Sequence, residues 1–413
     1  MNRIKTTIGE LCLVGDGTHG KVKRQNSGIM YLSSKNFKAN GLDLTKLDYI
    51  SEEDFKKHFK EESKALTKPK KGDILMSIIG TMGMPYVVKE SDKFGISSSV
   101  CIIRPSDELI PQYLYYWMLS DEFQKAVLNF KSGVAQGFLS LDTIRKLPLA
   151  YPSKKIQIKI VDIISKYDDL IENNLKRIKL LEESAELLYK EWFVNFRYPG
   201  CENQIDSSGI PKDWNNIEVK QFGDVITGKT PSTKKGEYYG GDIKFIKTPD
   251  MNDSIYVIKT NQTLTEEGAK SQEKKFVPKN SILVSCIGTV GVVSLTSELS
   301  QFNQQINALV PFEEEYVYYL YFKFKSLKET LEALGSSGAT MANVNKGKFE
   351  SIKILNPDKK VIKLFHDQCE VIFRQILNLQ YTNEKLVEAR DILIPKLITG
   401  EIEVWVENIQ RMG

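Results

Sequence analysis

A chain of 413 residues has room for two to four domains, and 41% hydrophobic with 27% charged residues argues against a disordered or fibrous protein. The formal net charge of +4 neither requires nor forbids nucleic acid, so any phosphate-binding surface has to come from local clustering. Cys12, Cys101, Cys201, Cys286 and Cys369 are odd in number, scattered and without a Cys-x-x-Cys pair, which argues against zinc or disulfide scaffolds and for reduced thiols.

Residues 1–152 read as a first globular unit. Short β-type runs at Ile74–Ile79, Val100–Ile103 and Leu147–Tyr151 alternate with Gly- and Pro-marked turns, and a helical interval covers 111–129. Residues 1–150 carry 22 Lys+Arg against 17 Asp+Glu. The start of the chain has no apolar core of a signal peptide, and the apolar stretch 74–88 is interrupted by Ser, Thr, Gly and Pro85. A soluble cytoplasmic protein with no membrane partner is expected.

Residues 153–200 are predicted as a long spacer helix. Ile160, Ile164, Tyr167, Ile171, Asn174, Ile178, Leu181, Ala185, Leu188 and Trp192 alternate steps of four and three, the period of a coiled-coil seam. Residues 201–212 form a linker, with two Pro and two Gly between Arg197 and Trp214. Residues 213–357 form the second globular unit, with strand candidates at Phe245-Ile246, Ile282–Ile287 and Ile306–Val310; over 213–355 its charge balances at 17 and 17. Residues 358–413 hold a second long spacer helix and a C-terminal tail. Its seam is Phe365, Cys369, Ile372, Ile376, Leu379, Asn383, Leu386, Arg390, Leu393 and Leu397. Asn174 and Asn383 are the informative positions, since a seam Asn costs stability but fixes register and partner. Mutual antiparallel packing within one chain is the simplest arrangement; the competing one is a coiled coil between two chains.

The two globular units are copies. Lys71-Gly72-Asp73-Ile74-Leu75-Met76-Ser77-Ile78-Ile79-Gly80-Thr81-Met82-Gly83 returns as Lys279-Asn280-Ser281-Ile282-Leu283-Val284-Ser285-Cys286-Ile287-Gly288-Thr289-Val290-Gly291. Ser132-Gly133 returns as Ser337-Gly338, and Pro152-Ser153-Lys154-Lys155-Ile156 as Pro357-Asp358-Lys359-Lys360-Val361. A period of roughly two hundred residues is too long for a solenoid and indicates a duplicated globular domain. The fold class expected is therefore α+β: two duplicated α/β domains joined by two long helices packed as an antiparallel coiled coil, with pseudo-twofold symmetry.

Catalytic signatures are weak. Gly223-Asp224-Val225-Ile226-Thr227-Gly228-Lys229-Thr230 satisfies the P-loop pattern, but Pro231 follows at once where a helix should begin. There is no His-Glu-x-x-His, no Gly-x-Ser-x-Gly and no Asp/Asn-Pro-Pro-aromatic motif, and His19, His58 and His366 are far apart. No catalytic residue, metal ligand or cofactor site is assigned. Base reading needs amide, hydroxyl and cationic side chains on loops. Candidates in the first unit are Thr18, His19, Lys21, Lys23, Arg24, Ser34, Lys35, Asn36, Thr81 and Gln136. In the second they are Lys229, Thr230, Ser232, Lys234, Lys247, Thr248, Thr289, Thr340, Asn343, Asn345 and Lys346. Each alone is more readily a solvated loop residue, and Ile-Gly-Thr-x-Gly more readily a buried strand followed by a tight structural turn; the argument rests on similar loops recurring in both copies.

The duplication, Gly209-Ile210-Pro211-x-x-Trp214, Gly228-x-x-Pro231, and the helix ends Leu187-Leu188-Tyr189-Lys190-Glu191-Trp192-Phe193 and Ile394-Pro395-Lys396-Leu397-Ile398-Thr399-Gly400 together resemble the specificity subunits of type I restriction–modification systems. The resemblance covers essentially the whole chain. It implies two target-recognition domains, each reading half of a bipartite double-stranded DNA sequence, with the helices as ruler and docking surface. It also implies two adenine methyltransferase subunits bringing S-adenosylmethionine, and motor–nuclease subunits bringing ATP and magnesium. Rival readings are a coiled-coil scaffold with protein-binding heads and an ATPase using Gly223–Thr230.

Overall fold

A computed structural model of the chain describes residues 2–404 except 39–40, 62–65, 81, 133–136, 201–208, 213, 252–253 and 337–341, and leaves the side chains of 131 and 132 undescribed. Most of the expected linker 201–212, Asp213, the repeated Gly133, Ser337 and Gly338, and the tail from 405 lie outside the described residues. The chain divides into two compact units, Met1–Leu170 with Val387–Gly413, and Ile171–Leu386.

In the first unit an antiparallel sheet has the order Cys12–Asp16, Val100–Pro105, Ile74–Ser77, Pro85–Val87. The strand Ile74–Ser77 is buried along its whole length, which explains its unbroken apolar run. Successive side chains point to opposite faces. Ile74 and Met76 pack with Tyr113, Leu114 and Trp117 of the helix Pro111–Leu119, while Leu75 packs with Tyr31, Leu32 and Ile96. Those last residues belong to a small second sheet, Asp48–Ile50, Ile29–Leu32, Phe94–Ile96, whose final pair is parallel. A ribbon of Ile4–Thr7 and Pro148–Tyr151 ties the start of the unit to its end.

The second unit repeats this plan. Gly223–Thr227, Ile306–Pro311, Ile282–Ser285, Val293–Thr296 and Tyr256–Val257 form the larger sheet. Thr263–Leu264, Tyr239–Ile246 and Gln301–Phe302 form the smaller one, again with a parallel last pair. Asn215–Glu218 pairs with Lys353–Asn356 as the closing ribbon.

The helical interval expected over 111–129 is two helices, Pro111–Leu119 and Asp121–Ser132. Ser120 between them is extended (φ −69°, ψ 153°), and its hydroxyl donates to the Trp117 carbonyl at 2.6 Å, a local bond that competes with helix continuation.

Lys154–Phe193 and Lys359–Thr399 are continuous helices of 40 and 41 residues, each about 60 Å long. Within the second unit, Asn174 Nδ2 donates to Asn383 Oδ1 at 2.8 Å, while Ala185, Tyr189 and Trp192 share a core with Phe365, Cys369 and Ile376. Ile178, Leu181 and Ile372 flank that core, and Ile171, Leu379 and Leu386 are half-buried. Within the first unit, Arg390 Nη1 donates to Asp168 Oδ1 at 2.8 Å, and Ile160 and Ile164 pack with Ile394, Leu397 and Ile398. In each unit the later residues of one helix meet the earlier residues of the other, so the pair is antiparallel and intramolecular. Asn174 and Asn383 are 2% and 9% exposed, and the amide–amide bond meets the demand that buried polar groups be paired.

An ion pair with a buried carboxylate sits in the first unit, where the second has Ser281 and Val310 at the corresponding positions. Arg104 Nε and Nη2 donate to Asp73 Oδ1 and Oδ2, both at 2.7 Å, with Asp73 only 1% exposed. The hydrogen bonds to Asp73 raise the guanidinium's pKa. Arg104→Met leaves the buried carboxylate with the Lys70 N–H, which donates to Asp73 Oδ2 at 2.8 Å, and is expected to cost about 1–3 kcal/mol. Urea unfolding of the variant reads this as a lowered midpoint for the first unit; an unchanged midpoint contradicts it.

Candidate nucleic-acid interface

Within each unit the backbone gathers the same four loop segments around the first residues of the central strand. The first segment follows the edge strand. Gly228 lies so close to the parallel strand that a Cβ there would stand 2.1 Å from the Asn303 carbonyl oxygen and 2.4 Å from that of Phe302. Gly228 N–H donates to Ile306 O at 3.1 Å and Lys229 N–H to Phe302 O at 3.0 Å. In the first unit Gly17 N–H donates to Val100 O and Thr18 N–H to Ile96 O, both at 3.1 Å. These amides bind carbonyls instead of pointing at a phosphate, and no helix begins at Lys229-Thr230. The P-loop pattern is thus the signature of a strand-end turn.

The second segment is the turn after the middle strand of the small sheet. Ser33 N–H donates to Asn36 Oδ1 at 3.0 Å, and Lys247 N–H to Asp250 Oδ2 at 2.8 Å. The third is the repeated Ile-Gly-Thr-x-Gly. Gly80 and Gly83 have φ of 72° and 85°, and Gly288 and Gly291 have φ of 77° and 85°, conformations that side chains rarely adopt. Gly83 N–H donates to Ser77 O and Gly291 N–H to Ser285 O, closing the same turn twice. The fourth segment is a polar tripeptide entering the central strand: Ser97-Ser98-Ser99 in one unit, Asn303-Gln304-Gln305 in the other. Sequence reading passed over it. The available signal was its equal offset from the strand-ending prolines Pro105 and Pro311.

The expected site residues divide on this frame. Thr18, Asn36 and Thr248 are buried, at 8%, 1% and 8% exposure, which removes them from direct base contact. Thr18 Oγ1 lies 3.3 Å from His58 Nδ1 and accepts the Gly20 N–H, while Asn36 Nδ2 donates to the Asp43 and Lys46 carbonyls. These short polar side chains build turns, a role composition does not distinguish from base reading. His19 is exposed, with Nε2 2.7 Å from Asp16 Oδ2. Lys21 and Lys23 are exposed, and the Lys23 amide donates to Asp54. Arg24 and Lys35 converge on Asp48 Oδ2, each at 2.9 Å. The Ser34 amide donates to Ser99 Oγ at 3.0 Å.

In the second unit Lys229, Ser232 and Lys234 are exposed, and Thr230 Oγ1 donates to Gln304 Oε1 at 2.6 Å. Lys247 Nζ lies 5.8 Å from the Phe245 ring centre. Thr289 is exposed on the Gly288–Gly291 turn. Asn343 bridges Ile287 through its backbone, Asn345 caps the short helix Lys346–Glu350 by accepting the Lys348 N–H at 2.9 Å, and Lys346 pairs with Glu350 at 3.4 Å. Thr81, Gln136 and Thr340 lie outside the described residues. Each unit thus presents exposed cations beside fixed amides and hydroxyls, the combination that grips phosphates and reads base edges. Among the described residues no group of three or more His, Cys, Asp or Glu is placed to hold a metal, and no helix is long and apolar enough to cross a membrane.

A family model described as "Type I restriction modification DNA specificity domain" matches residues 5–183 and 211–372. The chain is 32% identical over 401 residues to the type I restriction enzyme HindI specificity subunit of Haemophilus influenzae, covering 81% of this chain and 87% of that one. It is 26% identical over 348 residues to the MjaIX specificity subunit of Methanocaldococcus jannaschii, covering 81% and 78%. Its fold is similar to a crystal structure of the type I restriction–modification S subunit from M. genitalium, with a TM-score of 0.56 at 15% identity over 96% of each chain.

Proposed function

The chain belongs to the type I restriction–modification DNA specificity family, and from that premise we propose that it directs such a complex to a bipartite DNA target. Each globular unit reads one half-site, and the paired helices set the unread gap and dock two adenine methyltransferase subunits. The observation that carries this is the duplicated frame of exposed cations and fixed polar side chains, present once in each unit. A single reader needs one such surface; a two-part sequence with a gap needs two.

On this reading the chain is itself non-catalytic and acts in the cytoplasm. Methyltransferase partners supply S-adenosylmethionine, and motor–nuclease partners supply ATP and magnesium. Phosphate contacts fix position on the duplex, while base-edge contacts choose the sequence. A scaffold with protein-binding heads has no comparable observation in its favour.

Gel-shift titration of one duplex carrying the target tests the reading. Tight, sequence-selective binding is expected when methyltransferase subunits are present, with weaker binding by the chain alone. Methyltransferase subunits that select the same sequence without this chain would contradict it.

A further inference from the structure

We propose that the polar tripeptide entering the central strand is the base-discriminating element of each unit, with Gln304 the principal reader in the second and Ser98 its counterpart in the first. This rests on the DNA-recognition reading above and adds which residues choose the base.

The tripeptide is held rigidly by its backbone. Asn303 N–H donates to Ile246 O at 3.0 Å, Ile306 N–H donates to Asn303 O at 3.2 Å, and Gly228 presses on the same carbonyl. Asn303 Nδ2 donates to Gln305 Oε1 at 2.9 Å, which braces the flanking residues against each other. Between them Gln304 is exposed, while Asn303 and Ile306 are buried.

The Thr230 hydroxyl donates to Gln304 Oε1 at 2.6 Å and orients the carboxamide. Gln304 Nε2 has no hydrogen-bond partner among the described residues. A carboxamide oxygen has two lone pairs, so Gln304 still offers an acceptor beside two donors. That side-by-side pair matches adenine, whose N7 accepts and N6 donates in the major groove. Exposed Lys229, adjacent to Thr230, is placed for the phosphate contact that sets register.

The first unit has the same frame with different chemistry. Ser97 N–H donates to Leu32 O at 2.9 Å, and Gly17 packs against the Ile96 and Ser97 carbonyls. The side chains offered there are serine hydroxyls, with Ser97 Oγ and Ser99 Oγ 2.7 Å apart. A hydroxyl donates or accepts and discriminates bases less sharply than a carboxamide. The two half-sites therefore differ at this position: an A·T pair is required opposite Gln304, and a looser preference applies opposite Ser98.

The test is modified-base sequencing of host genomes carrying the full complex with the natural chain, Gln304→Ala, Thr230→Val or Ser98→Ala. Gln304→Ala is expected to relax one A·T position in one half-site, with discrimination falling roughly ten- to a hundredfold and the other half and the gap unchanged. Thr230→Val should relax the same position more weakly, and Ser98→Ala should affect only the other half. An unchanged motif with Gln304→Ala overturns the proposal. If Gln304→Ala abolishes methylation, the purified complex is titrated against the natural duplex and its single-base variants. Indifference confined to one position supports the proposal, and equal loss on every duplex overturns it. A natural complex that yields no bipartite motif counts against the specificity reading itself.

Discussion

Inserting one heptad into each long helix, after Leu170 and after Leu386, is expected to lengthen the unread gap of the methylated motif by about three base pairs. These positions fall at the border between the two compact units, so the insertion disturbs neither core. Seven residues restore the seam after two turns and add about 10 Å of helix, against ~3.4 Å per base pair. Both helices have to be extended together, because in each unit the seam of one is covered by the other. A heptad in only one helix, or four residues in both, displaces the seam and should abolish binding. The measurement is the motif recovered by modified-base sequencing. An unchanged gap in the double insertion sinks the ruler role.

Phe365→Ala should be among the most destabilising single changes in the second unit. The ring is fully buried, 4.9 Å centre to centre from Phe193 at an interplanar angle of 87°, and 5.9 Å from Trp192. Phe193 in turn lies 4.7 Å from Tyr319 and 5.8 Å from Trp214. The cluster joins both long helices to the globular part of the unit, so it cannot collapse around a hole without moving several aromatic rings. A cost of about 3–5 kcal/mol follows. Denaturant unfolding should show the second unit's transition shifted, with the first unit's transition in place. A loss below about 1 kcal/mol would mean that the cluster repacks.

Much of the fold was legible because it was written in period and repetition. The seam residues from Ile160 to Trp192 and from Phe365 to Leu397 are all buried or half-buried, since a 3.5-residue period has one geometric solution. Every strand candidate lies in or overlaps a strand, because buried central strands need unbroken apolar runs. Of the second unit's small sheet only Phe245-Ile246 was legible: Gln301–Phe302 and Thr263–Leu264 are two-residue strands, too short to show alternation. The Arg104–Asp73 pair was hidden too, because it joins residues 31 apart and has no echo in the second copy.

The candidate site was half legible. Thr289 sits on the turn that the repeat located, and Lys229, Thr230 and Lys234 on the loop that the Gly-Lys-Thr pattern marked, whereas Thr18, Asn36 and Thr248 turned inward. Composition marks a turn as polar but not which polar atoms the turn consumes. Gln304 lies outside the repeated segments and just ahead of the strand candidate Ile306–Val310, so no repeated motif singled it out.

The most direct test of the central claim is co-expression of this chain with a cognate adenine methyltransferase in a methylation-free host, followed by modified-base sequencing of the genome. The account predicts methyladenine in a single two-part motif with a constant gap, lost when this chain is omitted. Methylation that persists unaltered without the chain, or none with it, would contradict the account.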